Sequence, residues 1–157
     1  DLFPVTGGVY TIAGDQTINS GFAMPTAPTV LIVEGDLTIN TDLNLPAGDN
    51  DAALILLVDG DVNVDWAVTQ VDAYMVVGGS FDSRAGVPSS SFSQQLNVLG
   101  GLVYFTGATF DRIIDPLVDP SNLIPAEKFT YDPRIVYLFS GESILGVSRT
   151  SWQELVP

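Results

Sequence analysis

The chain lacks cysteine and histidine, and it has few basic residues. Its 157 residues include five Lys and Arg against 19 Asp and Glu, which gives a net charge of -14. Without Cys and His the chain has no disulfide, no thiolate nucleophile and no histidine general base, and nearly every zinc site is excluded. The negative charge repels phosphate backbones and anionic membrane surfaces, so nucleic acid is not expected as a partner.

The sequence also lacks an apolar run long enough to span a membrane as a helix. The longest wholly apolar run, Ala52 to Val58, falls far short of the roughly 20 residues that a membrane helix needs. No membrane span is therefore expected in this chain. Because residue 1 is Asp rather than Met, we expect that an export signal or anchor has been removed.

What the sequence does contain is an imperfect repeat: an apolar run, a glycine, and then a short alternation of polar and apolar residues. The repeat glycines are spaced 21, 25, 19 and 22 residues apart, and they are Gly14, Gly35, Gly60, Gly79 and Gly101. Repetition at this period is typical of stacked architectures in which each copy covers the apolar face of the next. The repeat predicts an all-β fold, a β-solenoid (β-helix) of about five rungs with these glycines aligned.

Each copy combines two strand patterns. The uninterrupted apolar run before the glycine, such as Leu54 to Val58, is typical of a strand buried on both faces. The alternation after the glycine, with Val62 and Val64 separated by polar residues, is typical of a strand with one face in the core and one in water. Each rung is therefore expected to bury one wall more completely than the other.

The repeat divides the chain into three segments within one structural domain. Residues 1–8 form a short N-terminal arm, residues 9–109 form the β-solenoid, and residues 110–157 form a proline-rich tail that does not repeat. A stacked sheet exposes an edge at each end, and such edges pair with other chains unless they are covered. The tail is therefore predicted to cap the stack.

Three aromatic residues of the tail are candidates for closing the end of the apolar stack. They are Phe129, Tyr131 and Trp152, each large enough to bury substantial apolar area. Pro125 to Lys128 is predicted to begin a helical turn, since proline is tolerated at the first helical position.

The tail resembles part of a known group of proteins. Its Pro-Ala-Glu-Lys-Phe-Thr-Tyr-Asp-Pro-Arg segment at 125–134 and its closing Ser-Trp-Gln-Glu-Leu-Val-Pro at 151–157 resemble the C-terminal end of uncharacterised bacterial cell-surface proteins. In that group this end follows bactofilin-like, glycine-punctuated β-repeats similar to residues 9–106. The resemblance implies a surface β-solenoid, in some cases encoded beside pilus-type genes, and an extracellular or cell-surface location. It supplies no catalytic residues.

Acidic residues at the repeat corners form a candidate calcium site. Stacking the copies on their glycines places Asp15, Asp36 and Asp61 in one outward column, with neighbours about 4.8 Å apart. Since like charges at this spacing destabilise a sheet, one interpretation is that Ca²⁺ bridges them, with Asp49 and Asp51 in a second cluster. The alternative is a hydrated acidic face without metal. No other cofactor is expected.

Two other functions are compatible with the sequence. Paired carboxylates on a solenoid wall can cleave polysaccharides, and exposed aromatic rings can hold sugars. The acidic candidates are Asp59, Asp61, Asp65 and Asp82, and the aromatic candidates are Tyr74, Phe92 and Tyr104. Because an acidic protein carries many solvated carboxylates and the sequence clusters no acids with aromatics, catalysis is not expected.

The five basic residues lie mainly in the tail, whereas the acids are spread along the repeat. They are Arg84, Arg112, Lys128, Arg134 and Arg149. This asymmetry favours either head-to-tail contact between molecules or pairing within one chain. With no catalytic residues in sight, the sequence predicts a non-enzymatic extracellular structural protein that self-associates into a surface filament or rigid stalk. The alternative is an adhesive module that binds surface glycans.

Overall fold

A computed structural model describes residues 7–46, 51–87 and 91–134 of the chain. Most of the predicted N-terminal arm lies outside these ranges. Within them the chain forms short β-strands joined by turns. The strands are β1 (Gly8–Ala13), β2 (Gln16–Ile18), β3 (Thr29–Glu34), β4 (Leu37–Ile39), β5 (Leu54–Val58), β6 (Val62–Asp65), β7 (Gln70–Val71), β8 (Tyr74–Val77), β9 (Ser80–Ala85), β10 (Leu96–Tyr104), β11 (Gly107–Thr109) and β12 (Glu127–Tyr131).

The strands form two parallel sheets. The first sheet has the order β1-β3-β5-β8-β10-β12, with β7 beside β10, and the second has the order β2-β4-β6-β9-β11. Every strand pair within these sheets is parallel. The prediction of an all-β chain built from stacked parallel strands is therefore confirmed.

We call each first-sheet strand, together with the second-sheet strand that follows it, a layer. Layers 1 to 5 are β1 with β2, β3 with β4, β5 with β6, β8 with β9, and β10 with β11. The register continues from layer to layer, since Thr17 pairs with Thr38, Thr38 with Asn63, and Asn63 with Asp82. The pairing register of β6 with β9 shifts between Asn63 and Asp65. The sequence repeat thus corresponds to successive layers.

The core lies between the two sheets and consists of columns of apolar side chains. Two of these columns are Leu31, Leu56 and Met75 from the first sheet and Leu37, Val62 and Phe81 from the second. All six side chains are at most 2% exposed. Because burying a side chain of this size contributes about 1.5–3 kcal/mol, these columns supply much of the stability of the stack.

The outer face of the first sheet differs from the prediction. In β5 only alternate residues are buried, and Ile55 and Leu57 are half-buried. Ile32 and Val76 on neighbouring strands have the same intermediate exposure. The prediction of strands buried on both faces therefore holds at Val30, which is 2% exposed, and fails at these four positions. One face packs in the core, and most of the other is an apolar surface in partial contact with solvent.

A short ladder also runs through the segments that connect the layers. Leu43 forms an isolated parallel bridge with Val71, Val71 pairs with Val98, and Val98 pairs with Phe129. Leu43 and Val71 are 0% exposed and Val98 is 1% exposed, whereas Phe129 is 42% exposed. This column is therefore buried at its start and open at its end.

The segment predicted to cap the stack contributes a further strand. β12 pairs in parallel with residues Leu96 to Gly100 of β10. The prediction of a helical turn at Pro125 to Lys128 is wrong, because Glu127 already belongs to this strand. Residues Glu127–Tyr131 of the tail thus extend the first sheet.

Candidate functional site

The corner between the two strands of a layer carries an aspartate ladder, formed by Asp15, Asp36 and Asp61. Each carboxylate accepts a hydrogen bond from a backbone N–H of the next layer. The N–H of Asp36 donates to Asp15 Oδ1 at 3.0 Å, and the N–H of Asp61 donates to Asp36 Oδ1 at 2.8 Å. The N–H of Ser80 donates to Asp61 Oδ1 at 2.6 Å. Because hydrogen bonds to a carboxylate are charge-assisted, each aspartate stabilises the layer that follows it.

A glycine precedes each residue whose N–H binds a ladder carboxylate, and the preceding layer leaves no room for a side chain at this glycine. A Cβ at Gly35 would lie 2.7 Å from Asp15 Oδ1 and 2.6 Å from the carbonyl carbon of Gly14. At Gly60 and Gly79 the added atom would overlap the carboxylate of the layer before. Only glycine leaves room for such a close approach. The aspartate of one layer and the glycine of the next are therefore fitted to each other.

The ladder stops at layer 4, and the need for glycine stops with it. Ser80 occupies the aspartate position of layer 4 and pairs with Gly107 of layer 5. In layer 5 the position equivalent to Gly79 is occupied by Thr106, whose N–H donates to Gly79 O at 3.2 Å. Because Ser80 carries no carboxylate to reach over this corner, a residue with a Cβ fits in layer 5.

Gly101 does not belong to the glycine column, and the prediction that aligned it there is wrong. Gly101 pairs with Tyr74 inside the first sheet. A Cβ at Gly101 would lie 2.6 Å from Cε2 of the Tyr74 ring. The glycines that do align in register are Gly14, Gly35, Gly60 and Gly79. Gly101 thus makes room for an aromatic ring rather than for a carboxylate.

The residues predicted to bind calcium have different surroundings. One carboxylate oxygen of each of Asp15, Asp36 and Asp61 accepts a backbone N–H. Asp51 is exposed, and Asp49 lies outside the described residues. In the ranges that the structure describes, no three acidic side chains come close enough to hold a metal ion. The ladder carboxylates therefore join successive layers through the backbone, and calcium binding stays a prediction.

Two aspartates outside the predicted site also join separate parts of the stack. Asp42 accepts the N–H of Thr69 at 2.6 Å and its hydroxyl at 2.8 Å. Asp72 is 8% exposed and accepts the N–H of Leu45 at 2.9 Å. Donor and acceptor are 27 residues apart in both cases. No local sequence pattern marks such pairs, because only the stacking of layers brings them together.

Arg112 is 5% exposed, and its guanidinium binds the backbone of several layers. It donates to Ser83 O at 2.5 Å, Val68 O at 2.6 Å, Asp65 O at 2.8 Å and Gln94 O at 3.0 Å. These carbonyls lie in or beside β6, β9 and β10. The planar guanidinium, with five N–H donors in a fixed arrangement, suits such a set of acceptors. One side chain therefore fastens layers 3, 4 and 5 together.

The charge of Arg112 is balanced by neighbouring acids. Burial lowers the pKa of the Arg112 guanidinium, whereas the nearby carboxylates of Glu127 and Asp65 raise it. Arginine nevertheless remains protonated in proteins. Glu127 Oε1 accepts the Arg112 backbone N–H at 3.1 Å and the Ser83 hydroxyl at 2.7 Å. Through Glu127 the same network reaches β12.

Arg84 and Arg134 also have partners within the chain. Arg134 forms an ion pair with Asp132 at 2.7 Å, and this contact lowers the pKa of the Asp132 carboxyl. Arg84 donates to a backbone carbonyl at 2.7 Å. Lys128 is exposed, and Arg149 lies outside the described residues. The described arginines are therefore paired within one chain and do not form a free basic end.

The carboxylates considered for polysaccharide cleavage are mostly engaged with the backbone. Asp61 belongs to the ladder. Asp65 and Asp82 each accept, at 2.8 Å, the N–H of the residue two positions later. Asp59 is exposed beyond the end of β5. Three of the four carboxylates therefore hold corners and turns of the fold.

The three aromatic residues considered for sugar binding lie on different surfaces. Tyr74 is on the outer face of the first sheet, where its ring lies beside Gly101. Tyr104 pairs with the buried Val77 and so points to the inner side. Phe92 lies between β9 and β10 and is 46% exposed. The structure does not combine them into one platform, and binding of surface glycans stays a prediction.

Layer 5 leaves apolar side chains uncovered at the end of the stack. A groove of about 490 Å³, which we call the end groove, is lined by Leu102, Tyr104, Phe110, Glu127 and Phe129. The Phe110 ring packs edge-to-face on Phe129, with centroids 5.5 Å apart. Tyr104 is 44% exposed and Phe110 is 45% exposed.

The predicted capping residues do not close this groove in the part of the chain that the structure describes. Phe129 forms one side of the groove and is 42% exposed, and Tyr131 is 60% exposed. Trp152 lies outside the described residues. Phe129 and Tyr131 thus extend the apolar end of the stack without covering it.

Comparison with known proteins gives no match: no family model, curated protein or solved structure is similar to this chain. The described part of the chain has no helix that is both long and apolar enough to cross a membrane. The function is therefore inferred from the geometry of the stack.

Proposed function

We propose that the chain is a β-solenoid and that it acts as a non-enzymatic structural protein, a self-associating element of a surface filament or rigid stalk. The observation that carries this proposal is the continuous register of the five layers. Parallel pairing joins equivalent strands of successive layers in both sheets. A stack in which each layer is hydrogen-bonded along its length to the next is expected to resist bending and stretching.

The polar side chains support a structural role in preference to a chemical one. The ladder bonds join residues 19, 21 and 25 positions apart, each of them from one layer to the next. Arg112 and Glu127 join the last layers to β12. Side chains that could act as acids or bases are thus largely occupied in holding the layers together.

Two features support self-association. In layer 1 the outer edges of β1 and β2 have no strand partner among the described residues, and an unpaired strand edge can pair with another chain. The outer face of the first sheet presents Ile32, Ile55 and Leu57 without a charged residue between them. Because the chain carries a net charge of -14, two copies repel each other least where the contact surface is uncharged.

We further propose an extracellular or cell-surface location. The support is the resemblance of residues 125–134 to the tail of bacterial surface proteins with bactofilin-like repeats.

Electron microscopy and light scattering of the purified chain test the proposal. We expect fibres with a regular axial repeat, and a mass that rises with protein concentration, with and without Ca²⁺. A chain that stays monomeric and monodisperse at high concentration under both conditions contradicts self-association.

A matched pair of variants tests which surface is used. Leu57→Lys adds a charge to the outer face of the first sheet, and Thr38→Lys adds the same charge at a half-buried position of the second sheet. We expect Leu57→Lys to reduce association and Thr38→Lys to leave it unchanged. Equal effects of the two variants would exclude the first-sheet face as the contact surface.

A further inference from the structure

The corner of layer 1 differs from the three corners that follow it. In layers 2 to 4 the N–H groups of Asp36, Asp61 and Ser80 each donate to an aspartate carboxylate of the preceding layer, at 3.0, 2.8 and 2.6 Å. Asp15 occupies the same position in layer 1. In the described ranges no strand precedes layer 1, and the Asp15 N–H has no acceptor. The same corner thus binds a carboxylate in three layers and has none to bind in the first.

The corner glycine of layer 1 also has room beside it. A Cβ built at Gly60 or Gly79 would overlap the carboxylate of the preceding layer, whereas a Cβ built at Gly14 meets nothing within 4 Å. Nothing in the described chain therefore occupies the side-chain position of Gly14, which is the position that a ladder carboxylate fills at Gly60 and Gly79.

The backbone of this glycine has turned away from the open end of the stack. The N–H groups of Gly60 and Gly79 donate back to the preceding layer, to Gly35 O at 3.0 Å and Gly60 O at 2.9 Å. The Gly14 N–H donates forward instead, to Glu34 O at 3.2 Å. Gly14 has a φ of 74°, whereas none of the other three corner glycines has a positive φ. The corner glycine therefore has two backbone conformations in this fold, one with a preceding layer and one without.

Layer 1 also offers two strand edges and a half-open core. The outer edges of β1 and β2 are unpaired in the described part of the chain. Tyr10 and Ile12 are half-buried, whereas Leu31 and Val33, which pair with them in layer 2, are 2% and 0% exposed. A strand added before β1 would pair with the free edge and bury these two side chains, which is the arrangement of β-strand addition.

We propose that layer 1 binds an aspartate-bearing strand of another polypeptide, in parallel with β1 and β2. The aspartate carboxylate accepts the Asp15 N–H, and Gly14 takes the backbone conformation of Gly60 and Gly79, with its N–H directed to the added strand. This occupant is the one that layers 2 to 4 already have at the corner. The proposal goes beyond the proposed function and does not depend on it.

A second copy of the chain, stacked through its layer 5, fits this corner less well than such a strand. Gly107 pairs with Ser80 of layer 4, so layer 5 has a glycine at the position of the ladder aspartates. Stacking of layer 5 on layer 1 of another copy would bring no carboxylate to the corner, and each copy adds a net charge of -14. A short strand with an aspartate supplies the carboxylate with far less charge repulsion.

Peptide binding to the full-length chain tests the proposal. The probe is a fluorescein-labelled peptide with the sequence of residues 29–40, which forms layer 2 and contains Asp36. The matched control is the same peptide with Asp36→Asn. We expect saturable binding by fluorescence anisotropy, with an affinity about tenfold weaker for the Asp36→Asn peptide, because a hydrogen bond to a charged acceptor is lost. In NMR spectra of the labelled chain, the amide signals of Gly14 and Asp15 are expected to shift most.

A variant of the corner glycine tests the position of the carboxylate. In the bound conformation the Cβ of Gly14→Ala occupies the place of the carboxylate, as a Cβ at Gly60 would. We therefore expect Gly14→Ala to bind both peptides weakly and equally. Gly107→Ala, at the other end of the stack, is the control and keeps the tenfold difference. Circular dichroism establishes that each variant is folded. If Gly14→Ala is not, the amide signals of the parent chain decide where the peptide binds.

Three results would overturn the proposal. Equal affinity of the parent chain for the two peptides would exclude a role of the carboxylate. Amide shifts confined to layer 5 or to the outer face of the first sheet would place the peptide elsewhere. Absence of saturable binding would show that layer 1 does not accept such a strand. Each result is independent of whether electron microscopy finds fibres.

Discussion

At the scale of single residues, the corner of each layer is constrained by the layer before it. The Asp36 carboxylate occupies the space that a Cβ of Gly60 would need, and its hydrogen bond to the N–H of Asp61, at 2.8 Å, holds it there. A Cβ at Gly60 would also lie 2.8 Å from Gly35 O. The glycine and the aspartate that meet at this corner therefore depend on each other, although they belong to different repeats.

Substitution of Gly60 by alanine tests this dependence. We expect Gly60→Ala to lower the free energy of unfolding by about 2 kcal/mol or more, since either the carboxylate or the backbone has to move. Urea unfolding measures the change. Gly107→Ala is the control, because a Cβ at Gly107 meets nothing within 4 Å, and it is expected to change stability by less than about 0.5 kcal/mol. Equal losses in the two variants would contradict the steric argument.

Asp132 gives a prediction for the effect of pH. The hydrogen bond from Arg134 lowers the pKa of the Asp132 carboxyl in the folded chain. A lowered folded pKa means that the ion pair stabilises the fold at neutral pH, and that this contribution is lost as the pH falls below the ordinary carboxyl value of about 4.

We therefore expect Asp132→Asn to be less stable than the parent at pH 7, by about 1 kcal/mol, and the difference to shrink as the pH falls from 5 to 3. Urea unfolding at several pH values measures this difference. Glu34→Gln, which removes a charge at an exposed position, is expected to show no such trend. A difference that stays constant from pH 7 to pH 3 would exclude the ion pair as its source.

At the scale of strands and turns, the connections between layers depend on residues that are distant in sequence. Arg112 lies after β11, yet it donates to the carbonyls of Asp65, Val68 and Ser83 near the ends of β6 and β9. Loss of its guanidinium would remove one hydrogen bond from each of these carbonyls, of which Asp65 O keeps the N–H of Val68 at 3.0 Å. A buried acceptor that is left unsatisfied costs about 1–3 kcal/mol. The last layers are therefore expected to be sensitive to this one side chain.

Arg112→Ala is expected to lower the free energy of unfolding by about 3–5 kcal/mol. Hydrogen exchange should then show the largest loss of protection in β9 to β12. Lys128→Ala, at an exposed position, is the control and is expected to have little effect on stability. A mild effect of Arg112→Ala, or a loss of protection confined to β1 to β4, would contradict the role of Arg112.

Periodicity predicts most of the strands but not the contacts between layers. The alternation at Val62 and Val64 marks a strand with one buried face, and the structure has this pattern in β6. The sequence does not identify the corner of layer 5, because this corner has Thr106 at the position that a glycine occupies in layers 1 to 4. Arg112 was missed because its acceptors are backbone carbonyls, which leave no pattern in the sequence. Local spacing therefore identifies the strands, whereas long-range hydrogen bonds need the coordinates.

At the scale of the whole molecule, the two ends of the stack differ. Layer 1 begins with β1 and β2, whose inward residues Tyr10 and Ile12 are half-buried. Layer 5 ends in the groove lined by Tyr104 and Phe110, which are 44% and 45% exposed. An element of a filament or stalk with unlike ends has a direction.

The central claim is that residues far apart in sequence stack in register along one axis, and a distance between spin labels at Thr17 and Thr109 tests it most directly. These exposed positions begin and end the column through Thr38, Asn63 and Asp82. Four strand spacings predict a separation between their Cα atoms of about 19 Å. A narrow distribution near that value, measured by double electron–electron resonance on dilute protein, is the predicted result. A broad distribution, or one centred beyond about 30 Å after allowance for the labels, would contradict the stack.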